Sequence, residues 1–336
     1  MAGRKTNLAL LLLLAAALGT GFLAFALGTG WNRWASVAHG AIGLAILILA
    51  PWKSVIARRG LRRGRPGSWA SVVFTVLVAV ALVGGIAHST GLLRTFAGVT
   101  AMQVHVGAAL ASIPFGVWHV VARRVRPRRT DLSRRMFLRS GALAAGSLAA
   151  YGAMAGLIRL MGMPGRRRRF TGSYATGSYR PEGMPVTQWL FDSVPAVDPA
   201  TWRLLVLDRG SEVGRFSLGE LDDRREPVRA LIDCTGGWFA EQDWEGVRLD
   251  RLLPSVGGAR SFAARSVTGY SRRFPAGDLA NLWLATRVGG RPLSAGHGLP
   301  ARIVAPGRRG FWWVKWVSSI EVSDVPWWWQ PPFPLQ

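Results

Sequence analysis

The sequence predicts an all-α membrane helix bundle followed by a mostly-β α+β domain. Two observations lead to this fold class. The first 160 or so residues contain long runs of Leu, Ala and Val broken by arginine clusters. The rest of the chain contains short alternating segments, many Gly/Pro turns and most of the acidic residues. A length of 336 residues is also sufficient for two domains.

The apolar runs predict four membrane spans and a fifth linking helix. A bilayer core of about 30 Å requires about 20 apolar residues. The four runs cover residues 7–28, 35–52, 69–88 and 99–121, and a weaker Ala/Gly-rich run covers residues 141–161. Arginines cluster between the second and third runs and again after the fourth, whereas the other two connections carry one arginine each. The positive-inside rule therefore places the N-terminus and both basic loops in the cytoplasm.

The strong positive charge is explained by this arrangement. Lys+Arg number 42 against 18 Asp+Glu, for a formal net charge of +24. Such an excess often indicates nucleic-acid binding. Here the arginines lie at the ends of apolar segments, and no nucleic-acid motif accompanies them. We therefore expect the lipid bilayer as a partner, and no nucleic acid.

A candidate export signal lies before the fifth apolar run. The residues Ser-Arg-Arg-Met-Phe-Leu at 133–138, followed by Arg139, resemble the twin-arginine export motif. The alternative is one more basic membrane flank. The resemblance implies a multi-pass protein of a bacterial cell membrane, with the twin-arginine machinery as a partner. The C-terminal domain would then be extracytoplasmic and would cross the membrane already folded.

Histidines in the apolar runs suggest haem ligands. His105 and His119 lie 14 residues apart on one predicted helix, which puts them within about 40° of one face and about 21 Å apart. This spacing resembles that of membrane b-type cytochromes. His39 has a depth similar to that of His105, so the two residues are candidate ligands of one haem b. His119 is the candidate inner ligand, but Lys53 stands where its partner histidine would be expected.

Two other interpretations of these histidines remain open. Histidines within a membrane can simply form hydrogen bonds between helices, although ionisable groups there are functional by default. His88, at the outer edge of the third run, is an alternative outer ligand or a quinone contact. If haem is bound, electrons would pass through the bundle to or from the quinone pool or a redox partner protein.

The predicted domains are 1–125 for the four-helix membrane domain, 126–165 for the export-like segment with the fifth helix, 166–184 for a linker, and 185–336 for the exported domain. Short alternating segments predict the strands of the last domain, and Val247–Leu253 predicts one short helix. The expected strands are Trp202–Leu207, Val228–Cys234, Ser266–Tyr270, Ala280–Thr286, Arg302–Ala305 and Trp313–Val322.

Cys234 is the only cysteine of the chain. A single thiol cannot form an internal disulfide or complete a multi-cysteine metal site. It lies at the end of a predicted strand, directly before a Thr-Gly-Gly turn that allows close backbone approach to a ligand. The residues alone leave three roles open: a buried inert thiol, a nucleophile or a single soft metal ligand.

Two motifs in this half resemble the molybdopterin-binding domain of the sulfite oxidase superfamily. The first is I-D-C-T-G-G-W at 232–238, followed by W-E-G-V-R-L-D-R-L-L at 244–253. The second is H-G-L-P-A-R-I-V-A-P-G-R-R-G-F-W-W-V-K-W at 297–316. The resemblance covers roughly residues 185–325. It implies a sulfite-oxidase-like domain with a molybdenum-molybdopterin cofactor.

The resemblance also implies roles for individual residues. Cys234 would ligate molybdenum, and His297, Arg302 and Lys315 would contact the cofactor beside the Trp313–Val314 backbone. Tyr270 is a candidate catalytic residue lining the pocket. An oxyanion substrate needs converging positive charge. The candidates for that charge are Arg272, Arg273, Arg308 and Arg309.

Taken together, the sequence predicts a membrane-anchored extracytoplasmic oxidoreductase. It would perform molybdopterin-dependent, sulfite-oxidase-like oxygen-atom transfer coupled to membrane electron transport. One alternative within the superfamily is reduction of a sulfoxide or N-oxide. An alternative of a different class is a cofactor-free exported binding module on a membrane anchor.

Overall fold

A computed structural model of the protein describes residues 3–62, 66–96, 98–125, 128, 131, 133–189, 192–253 and 258–334. The chain divides into two compact units. The first unit contains the residues up to Phe25 and Gly30–Gly172. The second contains Ala26–Thr29 and Ser173–Gln336. The expected order of a helical N-terminal region followed by a mixed-sheet region is confirmed.

Long helices build the first unit. They are α1 (Gly3–Ala26), α2 (Arg33–Leu61), α3 (Ser68–Thr90), α4 (Ala101–Ala122) and α5 (Arg134–Leu160). All five are long and apolar enough to cross a membrane, judged by length and composition. Helix α3 packs along α4, and α2 packs along α5. A short hairpin of β1 (Thr95–Phe96) and β2 (Val99–Thr100) precedes α4.

Local sequence signals fix the ends of these helices. Thr100 caps α4 in a capping box, because its side chain accepts from the Gln103 N–H while the Gln103 side chain accepts from the Thr100 N–H. Ser133 caps α5 by accepting from the Met136 N–H. Gly91, with φ +71°, ends α3 in the left-handed conformation that glycine adopts without strain.

The second unit is built mainly from strands. They are β3 (Tyr174–Ala175), β4 (Arg203–Asp208), β5 (Ser211–Ser217), β6 (Glu226–Asp233), β7 (Trp238–Arg248), β8 (Ser261–Ser266), β9 (Ser271–Pro275), β10 (Trp283–Val288), β11 (Arg291–Pro292), β12 (Arg302–Val304) and β13 (Val317–Ser323). Two short helices, α6 (Leu218–Asp222) and α7 (Leu249–Leu252), connect them.

These strands form two mixed sheets. In the first sheet, β7 pairs antiparallel with β6 and β10 and parallel with β3, while β10 also pairs with β11 and β12. In the second sheet the order is β5-β4-β13-β8-β9, and only the β4–β13 pair is parallel. Trp244 of the first sheet and Phe262 of the second are both fully buried in one hydrophobic core.

Three expected strands have to be corrected. Residues 267–270 form the turn between β8 and β9 rather than a strand, because Gly269 has a φ of +91° and reverses the chain. Residues 276–281 form a 3-10 helix before β10. The last strand begins at Val317 and not at Trp313, since Trp316 has a φ of +52°.

The segment expected to be a linker, residues 166–184, contains ordered structure. Tyr174 and Ala175 form β3, which hydrogen-bonds to the start of β7. Ser173 and Tyr174 are both buried. This part of the segment contributes to the first sheet beside the strand end that carries Cys234.

Candidate functional site

Cys234 follows the last residue of β6 and begins the tight turn into β7. Its N–H donates to the Trp238 carbonyl at 2.8 Å, and its carbonyl accepts from the Gly237 N–H at 3.2 Å. Gly237 has a φ of +91°, which this turn requires and which a side chain would strain. The turn holds the thiol at the strand end, where it is partly buried.

Two hydrogen-bond donors approach the sulfur. The Gly236 N–H donates to Cys234 Sγ at 3.3 Å. The Thr187 hydroxyl lies 3.4 Å from the same sulfur atom. These contacts hold the sulfur atom in place at the start of the turn.

Glycine at position 236 keeps space beside the sulfur. A Cβ added there would lie 3.6 Å from Cys234 Sγ and 3.8 Å from the Trp238 indole nitrogen. The Trp238 indole N–H is buried and has no hydrogen-bond partner among the described residues. An unused donor and a soft sulfur ligand therefore border the same small space.

The second motif brings His297, Arg302 and Lys315 together. Arg302 donates to the His297 carbonyl at 3.0 Å and to the Trp313 carbonyl at 3.3 Å. Lys315 donates to the carbonyls of Thr187 and Gly296 at 2.9 and 3.0 Å. Gly298 permits this approach, because a Cβ there would lie 3.1 Å from Arg302 Cβ and 3.2 Å from Lys315 Cβ.

Burial leaves these cations poorly compensated. It lowers the pKa of Arg302 to about 9, although the nearby Cys234 charge acts in the opposite direction. Burial first and Arg302 second lower the pKa of Lys315 to about 8. The pKa of His297 is lowered by burial first and by Arg302 second. Within the described residues, neither Arg302 nor Lys315 forms an ion pair with a carboxylate.

A buried and a partly buried cation without a carboxylate partner suit an anionic ligand. The Arg302 Nε is buried and makes no hydrogen bond to any described residue. A buried charge without a counter-ion is costly, and an incoming anion would remove that cost. The residues therefore fit a group that presents phosphate oxygens to Arg302 and Lys315 and sulfur-ligated metal to Cys234.

The remaining motif residues support this arrangement from within the core. Trp313 and Val314 are buried, and their carbonyls accept from Arg302 and from the Ile303 N–H, at 3.3 and 2.8 Å. The His297 ring lies 2.8 Å from the Ser294 hydroxyl through Nδ1 and 3.0 Å from the Met184 carbonyl through Nε2. Direct contact of His297, Trp313 or Val314 with a cofactor remains a prediction.

Tyr270 is buried rather than exposed in a pocket. Its hydroxyl donates to the Phe311 carbonyl at 2.5 Å. Burial raises its pKa well above the usual value, and Cys234 is close enough to add to that rise. This hydrogen bond holds the turn before Trp313 in place. A catalytic role for Tyr270 stays a prediction.

The four candidate substrate arginines are engaged within the protein. Arg309 is fully buried and ion-paired with Asp233, which excludes direct substrate contact in this conformation. Arg308 is ion-paired with Asp278. Arg272 lies over the Trp312 ring at 4.2 Å and donates to the Pro331 carbonyl, and Arg273 donates to the Ser261 hydroxyl at 3.2 Å.

In the helical unit, His39 of α2 and His105 of α4 face each other. Their Nε2 atoms are 3.5 Å apart, and the ring planes are nearly perpendicular at 83°. The Nδ1 atoms lie 3.0 Å from the Ala17 carbonyl and 2.6 Å from the Ala81 carbonyl. Because a carbonyl only accepts, each Nδ1 carries a proton, and the two Nε2 atoms are left facing each other.

The other membrane histidines have different surroundings. His119 lies 2.9 Å from the Ser71 hydroxyl and stacks on Phe74. Among the described residues no second histidine lies against it, and Lys53 instead donates to Asn7 at 3.0 Å. His88 donates to the Gly172 carbonyl at 2.7 Å. Within the described part of the chain, His39 and His105 are the one pair of histidines that face each other.

Sequence reasoning missed the contacts that come from distant segments. Thr187 reaches the sulfur across 47 positions and Ser173 reaches the Cys234 carbonyl across 61. No local spacing could reveal them; the only signal for Ser173 is its place in a polar stretch that the fold buries. Among the described residues, no group of three or more His, Cys, Asp or Glu side chains is placed to hold a metal ion.

The second unit of the chain is similar to known proteins. Residues 191–328 match the family described as oxidoreductase molybdopterin binding domain. The chain is 27% identical over 169 residues to mitochondrial sulfite oxidase of Rattus norvegicus, covering 39% of this chain and 31% of that protein. It is 27% identical over 167 residues to sulfite oxidase of Gallus gallus, covering 39% and 36%.

A nitrate reductase and a sulfane dehydrogenase also match the chain. Nitrate reductase [NAD(P)H] of Hordeum vulgare is 25% identical over 169 residues, covering 39% of this chain and 19% of that protein. The solved structure of the sulfane dehydrogenase SoxCD from Paracoccus pantotrophus aligns with a TM-score of 0.36 at 24% identity, covering 39% and 40% of the two chains. The chain thus spans about a third of the length of the sulfite oxidases it matches. The family match confirms the resemblance predicted from the two motifs.

Proposed function

We propose that the chain catalyses oxygen-atom transfer at molybdenum held by Cys234, because residues 191–328 match the oxidoreductase molybdopterin binding domain and resemble that part of the sulfite oxidases. The bound cofactor supplies the two-electron chemistry of that transfer. One observation carries the proposal. The buried Arg302 and the partly buried Lys315 have no carboxylate partner among the described residues, and Thr187 joins Lys315 to the Cys234 sulfur through its carbonyl and its hydroxyl.

The protein's own groups have distinct tasks in this proposal. Arg302 would donate from its unused Nε to an anionic oxygen of the cofactor, and Lys315 would add a point charge. Thr187 and the Gly236 N–H would hold the sulfur in position to act as the metal ligand. The Trp238 indole and the surrounding core restrict water near the metal, where charged interactions are stronger than in bulk solvent.

Cys234→Ser tests the metal-ligand role. A serine oxygen is a harder donor than a thiolate and suits the soft molybdenum–dithiolene centre poorly. Turnover should fall at least about a hundredfold, while the molybdenum content and thermal unfolding stay near the wild-type values. Metal analysis and steady-state assays of the purified protein measure these quantities. Full activity in the variant, or no molybdenum in the wild-type protein, would refute the proposal.

The substrate class can be separated by two assays. The matched relatives with the name sulfite oxidase favour oxidation of sulfite in this chain. The alternative is reduction of a sulfoxide or an N-oxide by the same domain. Sulfite oxidation and methionine sulfoxide reduction should be measured on one preparation, and the larger kcat/KM assigns the direction.

We further propose that the domain works outside the cytoplasm on a membrane anchor. The five long apolar helices supply the anchor by length and composition. The basic loops after α2 and α4 support a cytoplasmic location for those connections. This topology puts the second unit outside the cytoplasm, after export by the twin-arginine machinery. Its electrons would then be exchanged with the quinone pool or a redox partner protein.

The facing histidines supply a candidate relay for those electrons. Two lone pairs 3.5 Å apart repel unless a cation or a shared proton lies between them. A metal between two imidazoles needs about 4 Å between the nitrogens, from bonds of about 2 Å each. The backbone carbonyls that orient both rings are the usual partners of metal-ligating histidines. We propose that His39 and His105 ligate the iron of a b-type haem.

A reduced-minus-oxidised optical spectrum tests the haem. The purified protein should have a b-type absorption band that disappears in His39→Ala and in His105→Ala. His119→Ala should retain the band, because this residue has no facing histidine in the described chain. If the wild-type protein lacks the band, the pair shares a proton instead and the haem proposal is wrong.

A further inference from the structure

Arg309 is a fully buried arginine that holds the strand end carrying Cys234. It is 1% exposed and forms an ion pair with Asp233, which is 3% exposed. Its Nη2 donates to the Cys234 carbonyl at 3.2 Å. Ser173 donates its hydroxyl proton to Asp233 at 2.6 Å and lies 3.3 Å from the same Cys234 carbonyl. One guanidinium therefore connects the aspartate to the peptide of the next residue.

The backbone of the segment around Arg309 also lies close to Cys234. Asp233 and Arg309 form a parallel β-bridge. A Cβ added to Gly310 would lie 3.0 Å from Cys234 Cα and 3.6 Å from its Cβ. The Cys234 N–H is meanwhile bound to the Trp238 carbonyl at 2.8 Å. The nitrogen, the carbonyl and the Cα of Cys234 are all restrained, and these restraints fix the direction of the Cα–Cβ bond from which the sulfur projects.

Stability alone is a poor reason for this arrangement. Removing an arginine and an aspartate from water costs free energy that their attraction seldom exceeds, and apolar residues of similar volume often serve equally well. What apolar residues cannot supply is a planar fork that reaches a carboxylate and a carbonyl at fixed angles. The benefit specific to Arg309 is therefore the geometry of the Cys234 peptide.

We infer that Arg309, supported by Asp233 and Ser173, is a positioning residue that aims the Cys234 sulfur at the metal. This inference rests on the proposed function, because it requires Cys234 to ligate molybdenum. Arg309 does not touch substrate or cofactor in this role. It acts through the cysteine, so its loss changes the metal–sulfur bond before it changes substrate binding.

Two mild variants of the full chain test the inference. Arg309→Lys keeps the charge and removes the fork, and Ser173→Ala removes one hydroxyl from the network. Arg287→Lys is the matched control, since Arg287 on β10 forms a partly buried ion pair with Asp222 of α6, away from Cys234. The measurements are molybdenum per chain, thermal unfolding, the Mo(V) electron paramagnetic resonance spectrum, and separate kcat and KM values.

The expected result is a changed metal spectrum in a folded, metal-containing protein. Arg309→Lys should shift the Mo(V) g-values and lower kcat about tenfold, with KM unchanged, because a small misplacement of a reacting centre is costly. Ser173→Ala should change both quantities in the same direction but less, and Arg287→Lys should match the wild-type protein.

Each other outcome has a separate meaning. Wild-type g-values and kcat in both test variants would overturn the positioning role while leaving the proposed function intact. Wild-type protein without molybdenum overturns the proposed function itself, before any variant is compared. If Arg309→Lys does not fold, Ser173→Ala decides the question: an unchanged spectrum in that variant overturns the inference.

Discussion

Lys315 carries a charge that the folded domain accommodates without an ion pair to any described carboxylate. Its ammonium group donates to the carbonyls of Thr187 and Gly296. Burial first and the neighbouring Arg302 second lower its pKa to about 8. A site that binds an anion must hold such charges in advance, and the cost appears as reduced stability of the cofactor-free protein.

This cost has a defined dependence on pH. In the unfolded chain Lys315 titrates near 10.5, and in the folded chain near 8. Below pH 8 both states are protonated and folding bears the full cost. Between about pH 8 and 10.5 the unfolded state binds more protons, so the free energy of unfolding rises with pH. We expect a gain of up to about 3 kcal/mol across this window in cofactor-free protein.

Lys315→Met isolates this contribution. The variant has no ammonium group to titrate, so its free energy of unfolding should already be higher at pH 7 and should rise less between pH 8 and 10. Denaturant unfolding of protein from a host unable to make molybdopterin measures both quantities. Cofactor-loaded wild-type protein is the control, because an anion beside Lys315 restores its pKa and flattens the curve. Equal slopes in the cofactor-free wild type and variant would contradict the prediction.

At the scale of elements, the apolar helices could be predicted because length alone distinguishes them. The expected run at residues 69–88 lies inside α3, Ser68–Thr90. The strands were less predictable where glycine changes the chain direction. Gly269 turns the expected strand 266–270 into a connection between β8 and β9. Sequence alternation cannot distinguish a strand from a tight turn of similar composition.

Strand β7 shows why the longest strand of the domain was missed. Its residues alternate between buried and outward positions, as a half-buried strand requires. The buried face, however, includes Ala240 and Gln242, which are small or polar. Gln242 is satisfied there by donating to the Gly177 carbonyl at 2.6 Å. In β7 the burial alternates along the strand, but the hydrophobicity does not. Such a strand cannot be recognised from the hydrophobic pattern of the sequence.

The residues of the candidate site also differ in how far their contacts could be predicted from the sequence. His297, Arg302 and Lys315 lie within one motif, so their meeting could be predicted from that motif. Arg309 lies in the motif too, but its role depends on Asp233, 76 positions away. Contacts between distant segments depend on the sheet arrangement, and that arrangement is not encoded in any local pattern.

At the scale of the whole molecule, charge separates the two halves of the chain. The formal charge of +24 is concentrated in arginines that flank the helices. One pair, Arg134 and Arg135, begins α5 directly after its capping residue. Both side chains are exposed, as are Phe137 and Leu138, at 80% and 62%. A motif displayed in this way is available to an export receptor as well as to lipid headgroups.

Replacing both arginines by lysine separates these two roles. Arg134→Lys with Arg135→Lys preserves the positive charge, so a purely electrostatic flank should function as before. A receptor that recognises the guanidinium fork should fail, because lysine cannot reproduce it. We expect the second unit to remain inside the cell and to resist protease added to spheroplasts, whereas the wild-type unit is digested.

Arg58→Lys with Arg59→Lys, an adjacent pair in the last turn of α2, is the matched control and should be digested like the wild type. Digestion of the Arg134/Arg135 variant to the wild-type extent would refute twin-arginine export and leave the pair as an ordinary membrane flank.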